Sequence, residues 1–396
     1  MANITSGAVL TRWTVRGLRP GRAAAVAWTV ALVLAGCGQA SAPIPARATE
    51  AGPTSPSPAS PGIAPTASSI AADGSVAPAA TEATGATWAS VVGTIPIEAT
   101  GLTGSATAVY AWDERTGTLD RIDVGDGAVS TASFGNPDDT PLGTPKAAVV
   151  TDTALWVTDV ARHAIAELDP TSLTVRRRIP LVRVPNGKAF TDLDPIGLAV
   201  SGDDLWVSDF GHGLVARVSI ATGRVLETIP FDHPDGLAFG SGSVWVTLHR
   251  IGEIARLNAT TGKPEATIRL LGTGPSPVCG LCVEQIRSGP TAMWMGTGAG
   301  TQAIDPTSNV PRIVDATPAL DVAVDGDSVW ATHVDLSAPP PCNDPSSTVT
   351  RWSTASASGT GTYPLPCSFY VTAAGHDAWV ATLGATPAIV RLHPNG

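Results

Sequence analysis

From residue 87 onward this 396-residue chain shows no apolar period of three to four residues, which excludes helical bundles and alternating α/β architectures. Bases are scarce. Lys and Arg number 24 against 34 Asp and Glu, a formal charge of -10, which argues against nucleic acid or an anionic surface as partner. The longest apolar run, AAAVAWTVALVLAG at 23–36, falls short of the roughly 20 residues a spanning helix needs. Only one CxxC occurs, Cys279 and Cys282, with no second pair and no βαβ context, which disfavours structural zinc and a redox dithiol. No Gly-x-Ser-x-Gly stands on a strand-to-helix turn, so serine hydrolase chemistry has no support.

What is present is a repeat. GDDLWVSDF around Trp206 returns as TDTALWVTD around Trp156, GSGSVWVTL around Trp245, PTAMWMGT around Trp294, DGDSVWATH around Trp330 and GHDAWVATL around Trp379. The aromatic stays while the aspartates come and go, so the aromatic carries structure and the polar positions are free to specialise. Eight residues before each aromatic an apolar run begins, at Ala148, Leu198, Leu237, Ile286, Val322 and Val371. That fixed spacing is a strand, a tight turn and a second strand. A third alternating run follows (AIAEL, LVARV, EIARL), then turns at Asp169-Pro170, Thr222-Gly223, Thr261-Gly262 and Asp305-Pro306, then a fourth run. Four antiparallel strands repeated in this way are propeller blades.

Tyr110 fits the same register, because Leu102 stands eight residues before it, and makes seven aromatics. After Trp379 the chain has room for one more strand, AIVRLH, so the last blade lacks its outer strand. The stretch SVVGTIPIE at 90–98 matches RVLETIPF at 224–231 and is expected to supply it. The expected fold is an all-β, seven-bladed β-propeller closed by an N-terminal strand, which removes an exposed edge.

The organisation has three parts. Residues 1–36 carry Arg12, Arg16, Arg19 and Arg22, no acid, and the short apolar run, an export signal. It ends in Leu-Ala-Gly-Cys, which resembles the lipobox of bacterial lipoproteins, and that resemblance implies acylation of Cys37 and anchoring to the outer face of the cell membrane. Residues 37–86 are almost wholly Ala, Pro, Ser, Thr and Gly and read as a disordered tether. At such a length it reaches on the order of 40 Å. Residues 87–396 form the propeller. Without the four leader arginines, twenty bases face 34 acids, a charge of -14. Of the remaining cysteines, the local pairs Cys279–Cys282 and Cys342–Cys367 are the favoured disulfides.

Length variation points to one face. The long connections VRVPNGKAFTDLD (182–194), LGTGPSPVCGLC (271–282) and LSAPPPCNDPSST (336–348) lie between fourth and first or second and third strands, whose loops share a face. The opposite turns are short and uniform. Insertions on one face mark a binding face. Around its mouth the register places Asp194, Asp209, His212, His233, Asp235 and Glu284 on neighbouring blades, with His333 further round. These carboxylates and imidazoles are candidates for a polar ligand or a divalent cation, Mg or Ca. The plainer reading has them satisfying loop backbone.

The repeats PIGLAVSGDDLWVSDFGHGLVARVSIATGRVLETIPF and PDGLAFGSGSVWVTLHRIGEIARLNATTGKPEATIRL resemble those of YVTN and NHL-like propellers and, more distantly, of streptogramin lyases. The lyase resemblance implies histidines and glutamates on the ring face with a magnesium ion. Here Asp235 stands at the family's P-H-A-I histidine and Leu248 at its W-F-T-E glutamate. The residues therefore favour a non-enzymatic binding module for a protein, glycan or small molecule, touching the membrane only through its anchor. A metal-dependent lyase or lactonase-like hydrolase with its site in the central mouth is the alternative.

Overall fold

The computed structural model describes residues 88–133, 145–181, 193–272, 285–334, 342, 346–354 and 359–395. They form seven four-stranded antiparallel sheets arranged as propeller blades. Blade 3 shows the plan, with Leu198–Ser201, Asp204–Asp209, Leu214–Ser219 and Val225–Pro230 paired in sequence order from the channel outward. The fixed spacing read from the sequence is the ladder register. Leu198 pairs with Val207 and Ala199 with Trp206; Ala148 pairs with Val157, Leu237 with Val246, Val322 with Ala331 and Val371 with Val380 at the same offset.

Each second strand lies between two neighbouring blades, so both of its faces meet protein. Ser243–Leu248 and Asp377–Thr382 are accordingly buried at every position. Outer strands such as Val225–Pro230 keep exposed positions. Each register aromatic packs into the next blade. Trp156 joins Leu198, Leu205 and Val207 of blade 3, Trp206 joins Leu237 and Val246 of blade 4, and Trp379 joins Val109, Ala111 and Ile122 of blade 1. A tryptophan is large enough to bridge two sheets about 10 Å apart. That is why the aromatic, and not the aspartates, recurs.

The ring closes through the N-terminal strand. Ala89–Ile95 pairs antiparallel with Ala388–Pro394, Ser90 opposite His393 and Thr94 opposite Val390, with a bulge between Val91 and Gly93. Expected over 90–98, the strand runs 89–95. Trp88 just ahead of it packs at 5.7 Å on Trp330 of blade 6.

Two further devices recur. A hydroxyl two residues after the aromatic ties inner strands together: Gly197 N–H donates to Ser208 Oγ (2.7 Å), and that hydroxyl donates to the Asp235 carbonyl of the next blade. Thr332 links in the same way to the Phe369 carbonyl (2.8 Å). The blades approach so closely here that a Cβ on Gly197 would lie 2.1 Å from the Asp235 oxygen, so only glycine fits. The second device is a third-strand arginine stacked on the aromatic, at 5.6 Å for Arg217 over Trp206 and 5.0 Å for Arg256 over Trp245. Arg217 Nη1 then donates to the Thr260 carbonyl in the next blade (2.7 Å). In blade 1, Tyr110 performs both parts, its hydroxyl donating to the Pro170 carbonyl (2.8 Å).

Cys342 and Cys367 form the expected disulfide, with Cα atoms 5.7 Å apart. Cys37, Cys279 and Cys282 lie outside the described residues.

Candidate functional site

Second-to-third and fourth-to-first connections open on one end of the ring, and the long ones lie there, within 134–147, 181–197, 270–286 and 334–347. The inserted segments 182–192, 273–284 and 335–341 fall outside the described residues, and Glu284 with them. At the other end the turns are tight: Gly202-Asp203, Ser241-Gly242, Gly326-Asp327 and Gly375-His376 each join two strands.

Asp209 ends the second strand of blade 3 and is fully buried. Its Oδ2 accepts the Asp194 N–H (3.0 Å), its Oδ1 accepts the His212 N–H (2.8 Å), and His212 Nδ1 lies 2.7 Å from Oδ2. One carboxylate thus fastens both connections of its blade. Asp159 at the same position of blade 2 is also fully buried, and is engaged by the side chains of Arg162 and, at 3.0 Å, of Arg178 on the fourth strand. Asp194 itself is half-exposed, 3.0 Å from His163 Nδ1.

His233 immediately precedes the inner strand of blade 4, Pro234–Gly240, and Asp235 is its second residue. Asp235 Oδ2 lies 3.1 Å from Nδ1 of His249, whose own N–H donates to the His233 carbonyl (3.1 Å). His233 Nδ1 contacts Asp232. The Phe210 ring meets both imidazoles edge-on, at 4.8 Å for His233 and 5.6 Å for His249. His333 stands apart on blade 6. It is buried, its Nδ1–H donates to the Pro318 carbonyl (2.9 Å), and its Nε2 finds no partner among the described residues. Burial holds its pKa below the ordinary value, partly offset by that carbonyl.

The structure therefore brings Asp194, Asp209 and His212 together, and Asp235 and His233 together with His249 and Phe210. It does not join these groups and His333 into one ring. Among the described residues no three His, Cys, Asp or Glu converge to hold a metal ion. Phe210 and His163 escaped sequence reasoning because neither occupies a position compared between repeats.

The inner strands enclose a channel of about 270 Å³, lined at its described positions by Lys146, Gln285, Arg287, Ser288 and Asp321 among apolar residues of the other blades. Asp321 is buried and accepts the Val322 N–H (2.9 Å) and the Val371 N–H (3.0 Å), so it stitches blade 6 to blade 7. Burial raises its pKa, against the lowering effect of nearby Arg287.

A ring of seven such blades with a lined axial channel defines the chain as a β-propeller. No family model and no curated protein matches it. Solved structures do: a streptogramin B lyase at 17% identity and TM-score 0.55, covering 77% of this chain and 94% of that one. A catalytically inactive virginiamycin B lyase from Staphylococcus aureus, with quinupristin, aligns at 16% and 0.56 over 76% and 94%. The Pan2 WD40 domain of Neurospora crassa aligns at 10% and 0.57 over 76% and 90%. At such identities the likeness is one of fold.

Proposed function

We propose that this protein is exported, anchored to the membrane through Cys37, and binds a protein, glycan or small molecule with the insertion-bearing face of its propeller. The observation that carries the reading is the asymmetry of the ring: long connections at one end, turns of two to six residues at the other. Loops held on a rigid scaffold are where propellers diversify. The carboxylates nearest those loops support binding rather than metal catalysis, since Asp209 is engaged by backbone and Asp235 by His249. The lyase neighbours offer a second reading, but this chain has Asp235 and Leu248 where that family's histidine and glutamate are expected.

A photo-crosslinking residue at Leu271, exposed on the insertion face, is expected to trap a partner in intact cells. The same residue at Asp203, on the opposite face, is expected to trap none. Equal adducts at both positions overturn the reading.

A further inference from the structure

The mouth is expected to attract a cation, yet bases outnumber acids in the described lining of the channel. Its described lining holds two bases, Lys146 and Arg287, and one acid, Asp321. That acid is already engaged by two backbone N–H groups. It lies 3.5 Å from Arg287 Nη2, beyond a good hydrogen bond.

Arg287 is held in place without being used up. Its Nη1 donates to Gln285 Oε1 (2.9 Å), which fixes the guanidinium on the inner strand of blade 5. Among the described residues its Nε makes no hydrogen bond, and 30% of the side chain remains exposed to the channel solvent. Lys146 Nζ contacts Glu114 and keeps 31% of its side chain exposed. An ammonium has three donors, so one carboxylate does not satisfy it. Each base thus faces one carboxylate, Glu114 for Lys146 and Asp321 for Arg287, and keeps donors to spare.

Around them the walls are apolar: Leu102, Leu198, Leu237 and Ile286 line the same space, with the aromatic rings of Trp112 and Tyr370. About 270 Å³ lies just below the range of drug-sized sites, which sets an upper size. We infer that the axial channel is a binding site for a small organic carboxylate with an apolar body. Its carboxylate is received by the Arg287 guanidinium, with Lys146 as a second positive charge, and its body by the apolar inner strands. A guanidinium offers the paired donors a carboxylate matches, which a lone ammonium does not. Arg287 stands on the inner strand of blade 5 and Lys146 two residues before the inner strand of blade 2, so the site rests on residues other than those that carry the face-binding reading.

Benzoate and phenylacetate serve as probes, with benzamide and phenylacetamide as neutral counterparts and benzylamine as a cation of similar size. Calorimetric titration of the full chain is expected to show the acids binding at least tenfold more tightly than the amides, with no binding of benzylamine. Affinity for the acids should fall as salt rises. Arg287→Gln is expected to lose the acid preference, and Lys146→Gln, which leaves the Arg287–Asp321 neighbourhood intact, to weaken it several-fold. Acids and amides binding the wild-type chain equally, or none of the probes binding, overturns the proposal. So does a folded Lys146→Gln that binds acids as wild type does.

Discussion

Arg391 of the last blade donates from Nη1 to the main-chain carbonyl of Val124 in the first, 2.6 Å away across 267 residues of sequence. The same guanidinium stacks at 5.0 Å on Trp379 and contacts the buried Asp377 carboxylate. It repeats at the seam what Arg217 and Arg256 do within the ring, where each stacks on its own tryptophan and reaches a carbonyl of the following blade. Arg391→Ala removes the stack and the bond and leaves Asp377 to His393 alone. The expected loss is about 2 to 4 kcal/mol, read by denaturant unfolding. A midpoint unchanged from wild type means that the seam is held by the strands alone.

The closing strand itself is open to a harsher test. Ala89–Ile95 covers the outer edge of the last blade, and Ile95 and Ile97 pack on the cluster around Trp379. A chain beginning at Leu102 loses both and exposes the Ala388–Pro394 edge to other chains. Loss of cooperative melting, or aggregation seen by light scattering, is expected, whereas a chain beginning at Thr87 melts as the full chain does. Identical melting of the two means that the N-terminal strand adds nothing.

The fold was legible because propeller blades are written in two periods at once, alternation within strands and the aromatic between blades. Blade count, the closing strand and the Cys342–Cys367 pairing follow from those periods and from chain proximity. The candidate site was legible only as positions. Register places Asp209 and Asp235 at loop entries, but it says nothing of where their carboxylates turn. In the fold Asp209 turns onto its own loop backbone and Asp235 toward His249. The inter-blade hydroxyls at Ser208 and Thr332 were invisible for a different reason. A small polar residue beside a tryptophan looks like tolerance until the neighbouring carbonyl is seen.

The disulfide joins the second-to-third connection of blade 6 to the start of blade 7 across 25 residues. Restricting a loop of that length in the unfolded chain is worth roughly 3 to 4 kcal/mol. Replacing both cysteines by serine is expected to lower the melting temperature, and reduction of the wild-type chain to produce a similar drop. Melting indifferent to reductant contradicts this account.

His333 gives the stability a pH dependence. Its pKa is held below the ordinary 6.5 by burial, so an unfolded chain takes up a proton near that value while the folded chain resists it. Stability from this residue is full above about pH 6.5 and is lost as pH falls through the window beneath it. Melting between pH 7.5 and 5 should show the decline, and His333→Gln, which cannot titrate, should flatten it while lowering stability at pH 7.5. An equal decline in the variant assigns the pH dependence to other groups.

Asp209 separates the two readings of the insertion face most cleanly. If it served chiefly as a ligand for a divalent cation, the metal-free protein would tolerate Asp209→Ala, or gain from it through reduced repulsion among carboxylates. The geometry says otherwise. The carboxylate is fully buried and receives the Asp194 and His212 N–H groups at 3.0 and 2.8 Å. Removing it strands both donors at a partly buried site, at a cost of about 2 to 4 kcal/mol. The loss is expected in full with EDTA present, and neither magnesium nor calcium should raise the melting temperature of the wild-type chain. A variant as stable as wild type in EDTA, beside a wild-type chain that melts higher with magnesium, would return the face to metal chemistry, because a ligand that binds only the folded state stabilises it in proportion to its excess over its dissociation constant.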